Sequence, residues 1–139
     1  PFSTDLPAVT SDYFPTSLAA AGIPLPDDRE YDGINLLPLI DGKMKKRKGI
    51  GFHCRGMDAW IEKKYKIIRI SSKKEQKNPW ELYDLLKDPY EENDLAKKFP
   101  GVVDRMNQEF TVWATSVQAD EQKVLKKYHS SKTKKKKSK

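Results

Sequence analysis

The chain holds a single cysteine, Cys54, in 139 residues, so no disulfide can close within it. Stability must come from packing, and the redox compartment stays open. No run of about 18 apolar residues occurs, which excludes a membrane-spanning helix. Histidine is nearly absent, with only His53 and His129 present. The opening P-F-S-T-D-L-P has no initiator Met and no basic-then-apolar leader pattern. It reads as a processed or truncated start, which leaves export open.

What is present is polar. The apolar fraction is 37% and the charged fraction 34%, at the polar end of globular chains and enough for one modest core. The net charge of +7 is unevenly spread. The last twenty residues carry nine Lys against two acids, which accounts for all of it. The preceding 119 are electrically balanced, so the basicity belongs to the tail.

Residues 9–23 (V-T-S-D-Y-F-P-T-S-L-A-A-A-G-I) read as a short helix. Ser11 or Asp12 can cap it, Pro15 is tolerated in its first turn, and Gly22 supplies the left-handed stop. Phe14, Leu18 and Ala21 fall on one face, which needs a large partner surface. Residues 24–28 form a Pro-rich connector, and Asp32-Gly33 and Asp41-Gly42 are turns. Between those turns, residues 34–40 (I-N-L-L-P-L-I) are apolar, interrupted by Pro38, and read as irregular and buried. The basic run 43–48 is solvated.

Residues 50–54, 59–62 and 65–70 read as strands, joined by turns at Arg55-Gly56 and Lys63-Lys64. With a fourth strand at 81–85 they make a four-stranded antiparallel sheet, because short links favour neighbours. Residues 71–78 are a polar loop. From Gly101, Val103, Met106, Phe110, Trp113 and Val117 recur at three- and four-residue steps. They form one apolar stripe on a helix of roughly 16 residues, long enough to cover such a sheet. Burying each Phe or Trp of the stripe contributes about 1.5–3 kcal/mol. The fold class is therefore α+β. Residues 120–139 read as a Lys-rich disordered tail.

The densest stretch is 80–96, W-E-L-Y-D-L-L-K-D-P-Y-E-E-N-D-L-A. Asp88-Pro89 stops the fourth strand, since Pro89 lacks an amide hydrogen and biases Asp88 away from helix. The acidic run 91–94 suits the first turn of a short helix that sets Leu95 and Ala96 onto a core. A calcium loop is the alternative for such clustered acids, but the D-x-[DN]-x-[DN]-G spacing is missing.

This stretch resembles the closing segment of type I sulfatases, in the alkaline-phosphatase superfamily. The stretches V-T-S-D-Y-F-P-T-S-L-A-A-A-G-I-P-L-P and D-G-I-N-L-L-P-L-I-D-G are similar, in order and spacing, to the place where sulfatases leave their catalytic domain. Arylsulfatase A and the N-acetylgalactosamine-sulfatase-like members look most similar. The resemblance covers residues 8–117 and implies three parts. Residues 1–47 would end the catalytic domain, with a helix at about 11–21 and an irregular apolar connector. Residues 48–119 would form the C-terminal subdomain, and 120–139 the tail.

The family also implies what lies elsewhere. Its formylglycine nucleophile comes from a C/S-x-P-x-R motif, and its divalent, calcium-type cation is held by Asp and Asn ligands. Here Cys54 is followed by R-G-M-D, so this chain carries no catalytic or metal-binding residue of that set. The machinery for hydrolysing a sulfate ester would precede Pro1, in an N-terminal catalytic portion that acts as partner. This chain alone would be inactive. A periplasmic or secreted location and a sulfated small-molecule or glycan substrate follow from the resemblance. A phosphatase or phosphonate hydrolase would share the architecture.

His53 and Arg55, in G-I-G-F-H-C-R-G, are the candidate substrate-binding residues, because the family directs this strand end toward the substrate entrance. The alternative for His53 is an inert strand-end histidine at a domain seam. A His53–Cys54 pair is disfavoured, since neighbours on a strand point to opposite faces. Trp60 and Trp80 are either core aromatics or platforms for a sugar ring. Gly49-x-Gly51 lacks the third glycine of a dinucleotide fingerprint. The run from Lys132 to Lys139 either solubilises the chain or binds a polyanion weakly at low salt. A stand-alone module binding polyanions through that tail is the non-catalytic alternative, and an inactive gene remnant a third.

Overall fold

The computed structural model describes residues 3–71 and 78–137. A 3-10 turn over Thr10–Asp12 runs into helix α1, Tyr13–Ala20. Pro15 sits buried in its first turn, where its missing amide costs nothing. At the far end Gly22 takes φ +69°, Gly22 donates to Ala19 and Ile23 donates to Leu18. That pair of bonds is a Schellman closure, and Gly22 is the residue that makes it inexpensive. A second helical turn, α2, spans Leu37–Ile40.

Strands β1 (Ile50–Cys54), β2 (Met57–Glu62), β3 (Tyr65–Ile70) and β4 (Glu81–Asp84) form one antiparallel sheet in sequential order. Helix α3, Pro100–Lys137, packs on one face of it. Trp60, Ile67 and Leu82 from the sheet meet Met106 and Phe110 from α3, and Val103, Trp113, Leu95 and Ala96 close around them. Ile67, Leu82 and Met106 are wholly buried. The apolar stripe of α3 thus faces the sheet as its spacing requires. Gly49 and Gly51 belong to this packing, since a Cβ on either would enter the ring of Trp60 or Trp113 respectively.

The N-terminal region is joined to this unit by polar bonds. Trp113 Nε1 of α3 donates to Asp32 Oδ1 at 2.8 Å, and the fully buried Asp12 gathers the segments that lead up to β1. Its Oδ2 accepts from the Val9 amide at 2.9 Å and from Arg47 Nη1 at 2.7 Å. Its Oδ1 accepts from the Ile34 amide at 2.9 Å and from Arg47 Nη2 at 3.2 Å. Burial alone would raise the Asp12 pKa, but the Arg47 guanidinium and the two amides outweigh it and hold the carboxyl below its ordinary value. One carboxylate therefore ties residues 9, 34 and 47 together.

Several sequence expectations need correction. Asp12 makes no side-chain cap on α1, because its oxygens are spent on Val9, Ile34 and Arg47. The segment 34–40 is not irregular throughout, since Pro38 falls in the first turn of α2 and promotes it. Within it Leu39 is buried but Ile40 is 60% exposed. The acidic run 91–94 starts no helix. Asp94 Oδ1 instead accepts from the amides of Leu82 and Ala96, and the Leu95 amide donates to the Leu82 carbonyl. A local side-chain bond has displaced the helical turn. The structure extends β2 back to Met57 and ends β4 at Asp84.

The largest difference is the length of α3, 38 residues rather than roughly 16. Its backbone is helical through Lys137, so residues 120–137, read as a disordered tail, continue the helix. No Gly or Pro follows Gly101, and Lys, Gln, Glu and Ala are good helix formers. The central part of the polar loop at 71–78, residues 72–77, lies outside the described residues, as do Ser138 and Lys139.

Candidate functional site

Strands β1 and β2 are joined by Arg55 and Gly56, both with positive φ (48° and 85°). A two-residue turn of that hand fits the twist of a hairpin. It sets Cys54 opposite Met57 and His53 opposite Asp58. The Lys63-Lys64 turn likewise sets Asp58 opposite Arg69. Three polar side chains therefore stand side by side across three strands, on the face that also carries Trp60 and α3.

They form one connected group. His53 Nδ1 lies 2.6 Å from Asp58 Oδ1, and Arg69 Nε and Nη2 donate to Asp58 Oδ2 at 2.8 and 2.7 Å. Asp58 is buried, whereas the His53 side chain is 54% exposed. Burial would raise the Asp58 pKa, but hydrogen bonds from His53 and Arg69 and the Arg69 charge reverse this and lower it. An ionised carboxylate only accepts, so in the neutral imidazole Nδ1 carries the proton. Nε2 then carries the free lone pair, and no hydrogen-bond partner for it is found among the described residues.

The base of the group is locked to α3. The Arg69 guanidinium lies 4.2 Å from the Trp80 ring centroid and 5.7 Å from that of Phe110. Trp80 Nε1 donates to Asn107 Oδ1 at 2.8 Å. Trp80 and Phe110 meet edge to face at 5.2 Å. Trp60 is 5% exposed and Trp80 is held between Arg69 and α3, so both serve the core and neither is an open sugar platform.

Of the residues singled out from sequence, His53 and Arg55 lie on the same hairpin, Arg55 exposed at its tip. Cys54 is exposed and sits on the opposite sheet face from His53, so the two make no pair. Asp58 and Arg69 were missed. The signal for them was nevertheless available, because the two turns fix the register that aligns 53, 58 and 69. Among the described residues no group of three or more His, Cys, Asp and Glu could hold a metal. No described helix is long and apolar enough to cross a membrane.

A four-stranded antiparallel sheet covered by one long helix, preceded by a short helical segment, is the fold of sulfatase C-terminal regions. No family model matches the chain. It is 48% identical to human steryl-sulfatase over 42 residues, which cover 30% of this chain and 7% of that protein. A sulfatase from a Bacteroides thetaiotaomicron locus for the metabolism of multiple glycosaminoglycans is 27% identical, with a TM-score of 0.61, over 75% of this chain and 24% of its own. The putative sulfatase yidJ of Bacteroides fragilis gives a TM-score of 0.61 at 20% identity, over 77% of this chain and 24% of its own. The chain thus spans about a quarter of the solved structures it matches. In fold, and over part of its sequence, the chain is thus similar to the C-terminal portions of type I, alkaline-phosphatase-like sulfatases.

Proposed function

We propose that this chain completes a sulfatase that hydrolyses sulfate esters, and that His53 and Arg55 contact the substrate from its C-terminal subdomain. The observation that carries this reading is His53 itself, held by Asp58 at one ring nitrogen while its side chain remains 54% exposed. Arg55 adds a cation at the adjoining turn, suited to an anionic ester. A sulfated sugar is the favoured substrate class. One structural relative, 20% identical with a TM-score of 0.58, was solved with its substrate D-glucosamine-2-N,6-O-disulfate.

The residues present do not fit a formylglycine or a bound cation. Cys54 lacks the C/S-x-P-x-R context, and no metal-ligating cluster occurs among the described residues. Both would belong to a preceding catalytic portion, which is the proposed partner. The exposed apolar residues around α1 suit that partner: Tyr13, Phe14, Ile23 and Leu25 have too little of this chain to bury them. The family resemblance supports a periplasmic or secreted setting.

The test is kinetic. In the full-length sulfatase carrying this chain, His53→Ala and Arg55→Ala should each raise KM for a sulfated sugar more than they lower kcat. Unchanged kinetics in both variants would remove these residues from the substrate site. The 139-residue chain alone should show no turnover of a chromogenic sulfate ester.

A second reading concerns the Lys-rich end. The run follows an element whose backbone is helical through Lys137, and six Lys so close in sequence attract a polyanion at low salt. Removing residues 132–139 should abolish retention on a sulfated polysaccharide at low salt, and unchanged retention would discard this reading.

A further inference from the structure

Asp58 and Arg69 do more than balance each other's charge. A buried carboxylate needs partners for both oxygens, and Arg69 alone could chelate both in the forked geometry that arginine favours. Here both Arg69 nitrogens bond Oδ2, leaving Oδ1 for His53 Nδ1 at 2.6 Å. The guanidinium cannot easily swing to cover Oδ1, because it lies over the Trp80 ring with Phe110 alongside. Trp80 is in turn pinned to Asn107 of α3. The order of support runs from the helix through Trp80, Arg69 and Asp58 to an exposed imidazole.

We propose that Asp58 and Arg69 are positioning residues for His53, fixing its neutral ring as the Nδ1–H tautomer so that Nε2 is presented outward as a hydrogen-bond acceptor. This rests on the reading of His53 as a substrate contact and sharpens it. A lone-pair acceptor recognises a donor, so the group met by His53 is a sugar hydroxyl or amide N–H next to the sulfate. Recognition of the sulfate itself falls to cations such as Arg55. Division of labour of this kind gives selectivity, because a site built to accept a substrate proton rejects an analogue that lacks it.

The tautomer is read from the imidazole nitrogen-15 signals of the 139-residue chain, with His129→Ala used to assign His53. The expected result is a protonated Nδ1 and an unprotonated Nε2 in the neutral ring. In Asp58→Asn, where the side-chain amide can donate to Nδ1, the population should move toward the Nε2–H form. A wild-type ring already in the Nε2–H form, or a mixture unchanged by Asp58→Asn, overturns the proposal. Should Asp58→Asn fail to fold, the wild-type spectrum still decides. In the full-length sulfatase, Asp58→Asn should raise KM about 10-fold for a sugar bearing the free hydroxyl, with little change in kcat. It should have much less effect on the matching O-methylated substrate. If His53→Ala leaves KM unchanged while the tautomer result holds, the substrate reading fails and the positioning geometry stands.

Discussion

Residues 50–117 wholly bury Ile67, Leu82 and Met106, whereas residues 13–25 leave Tyr13, Phe14, Ile23 and Leu25 between 43% and 68% exposed. Both stretches have large apolar side chains at regular spacing. Only the later one has a second layer to place them against. The sheet supplies one layer and α3 the other, which is the minimum for a core. Among the described residues α1 has only the short α2 beside it, and the region is held by the Asp12–Arg47 pair and the Trp113–Asp32 bond. Phe14, half exposed, stacks on Tyr31 at 5.6 Å between ring centroids. The difference teaches that amphipathic spacing establishes which face must be covered, but not that the cover lies in the same chain.

The comparison can be broken by placing the same charge in each region. Met106→Asp puts an unpaired carboxylate into a fully buried site and should unfold the sheet and helix together. Phe14→Asp should move stability by no more than about 0.5 kcal/mol, since half of that side chain is already in water. Equal losses of melting temperature would mean that the two regions form one core after all.

The next largest effect belongs to the junction. Asp12→Ala leaves Arg47 buried and two amides unanswered, at a cost of about 3–5 kcal/mol. That loss should appear as faster amide exchange over residues 9–34, with the sheet little affected. Smaller again is Gly51→Ala, whose methyl group must displace the Trp113 ring, at about 1–3 kcal/mol. A shift in tryptophan emission with a lower melting temperature is the readout.

Acid should separate the regions more gently. The folded Asp12 pKa is lowered, so its contribution is complete above the unfolded carboxyl value of about 3.9. It is lost as pH falls through the lowered folded value. The N-terminal region should therefore loosen in that acid range; the sheet also weakens there through Asp58, but its apolar core of Ile67, Leu82 and Met106 keeps it folded longer. Simultaneous loss of both would contradict the separation.

Much of this was legible from residue order. Arg55-Gly56 and Lys63-Lys64 mark the turns, and the spacing of Met106, Phe110 and Trp113 marks the covering face of α3. Strand order followed from short links. What escaped was what depends on side-chain competition. Asp94 could begin a helix or bond nearby amides, and only the position of Leu82 selects the second. Asp12 looked like a cap because Arg47, 35 residues away, carries no local mark of its role. The His53–Asp58–Arg69 alignment was readable in principle, since two turns determine it, yet Asp58 and Arg69 resemble ordinary surface charges until faces are assigned. The long run of α3 was misjudged because its apolar stripe ends before its helix does.

Amide hydrogen exchange across the 139-residue chain tests the central claim most directly. The account predicts strong protection in β2, β3 and the turns of α3 around Met106 and Phe110, and weak protection in α1 and α2. Within the complete sulfatase, α1 should become protected as well. If α1 in the isolated chain already exchanges as slowly as β3, its apolar face needs no outside partner, and the account is wrong.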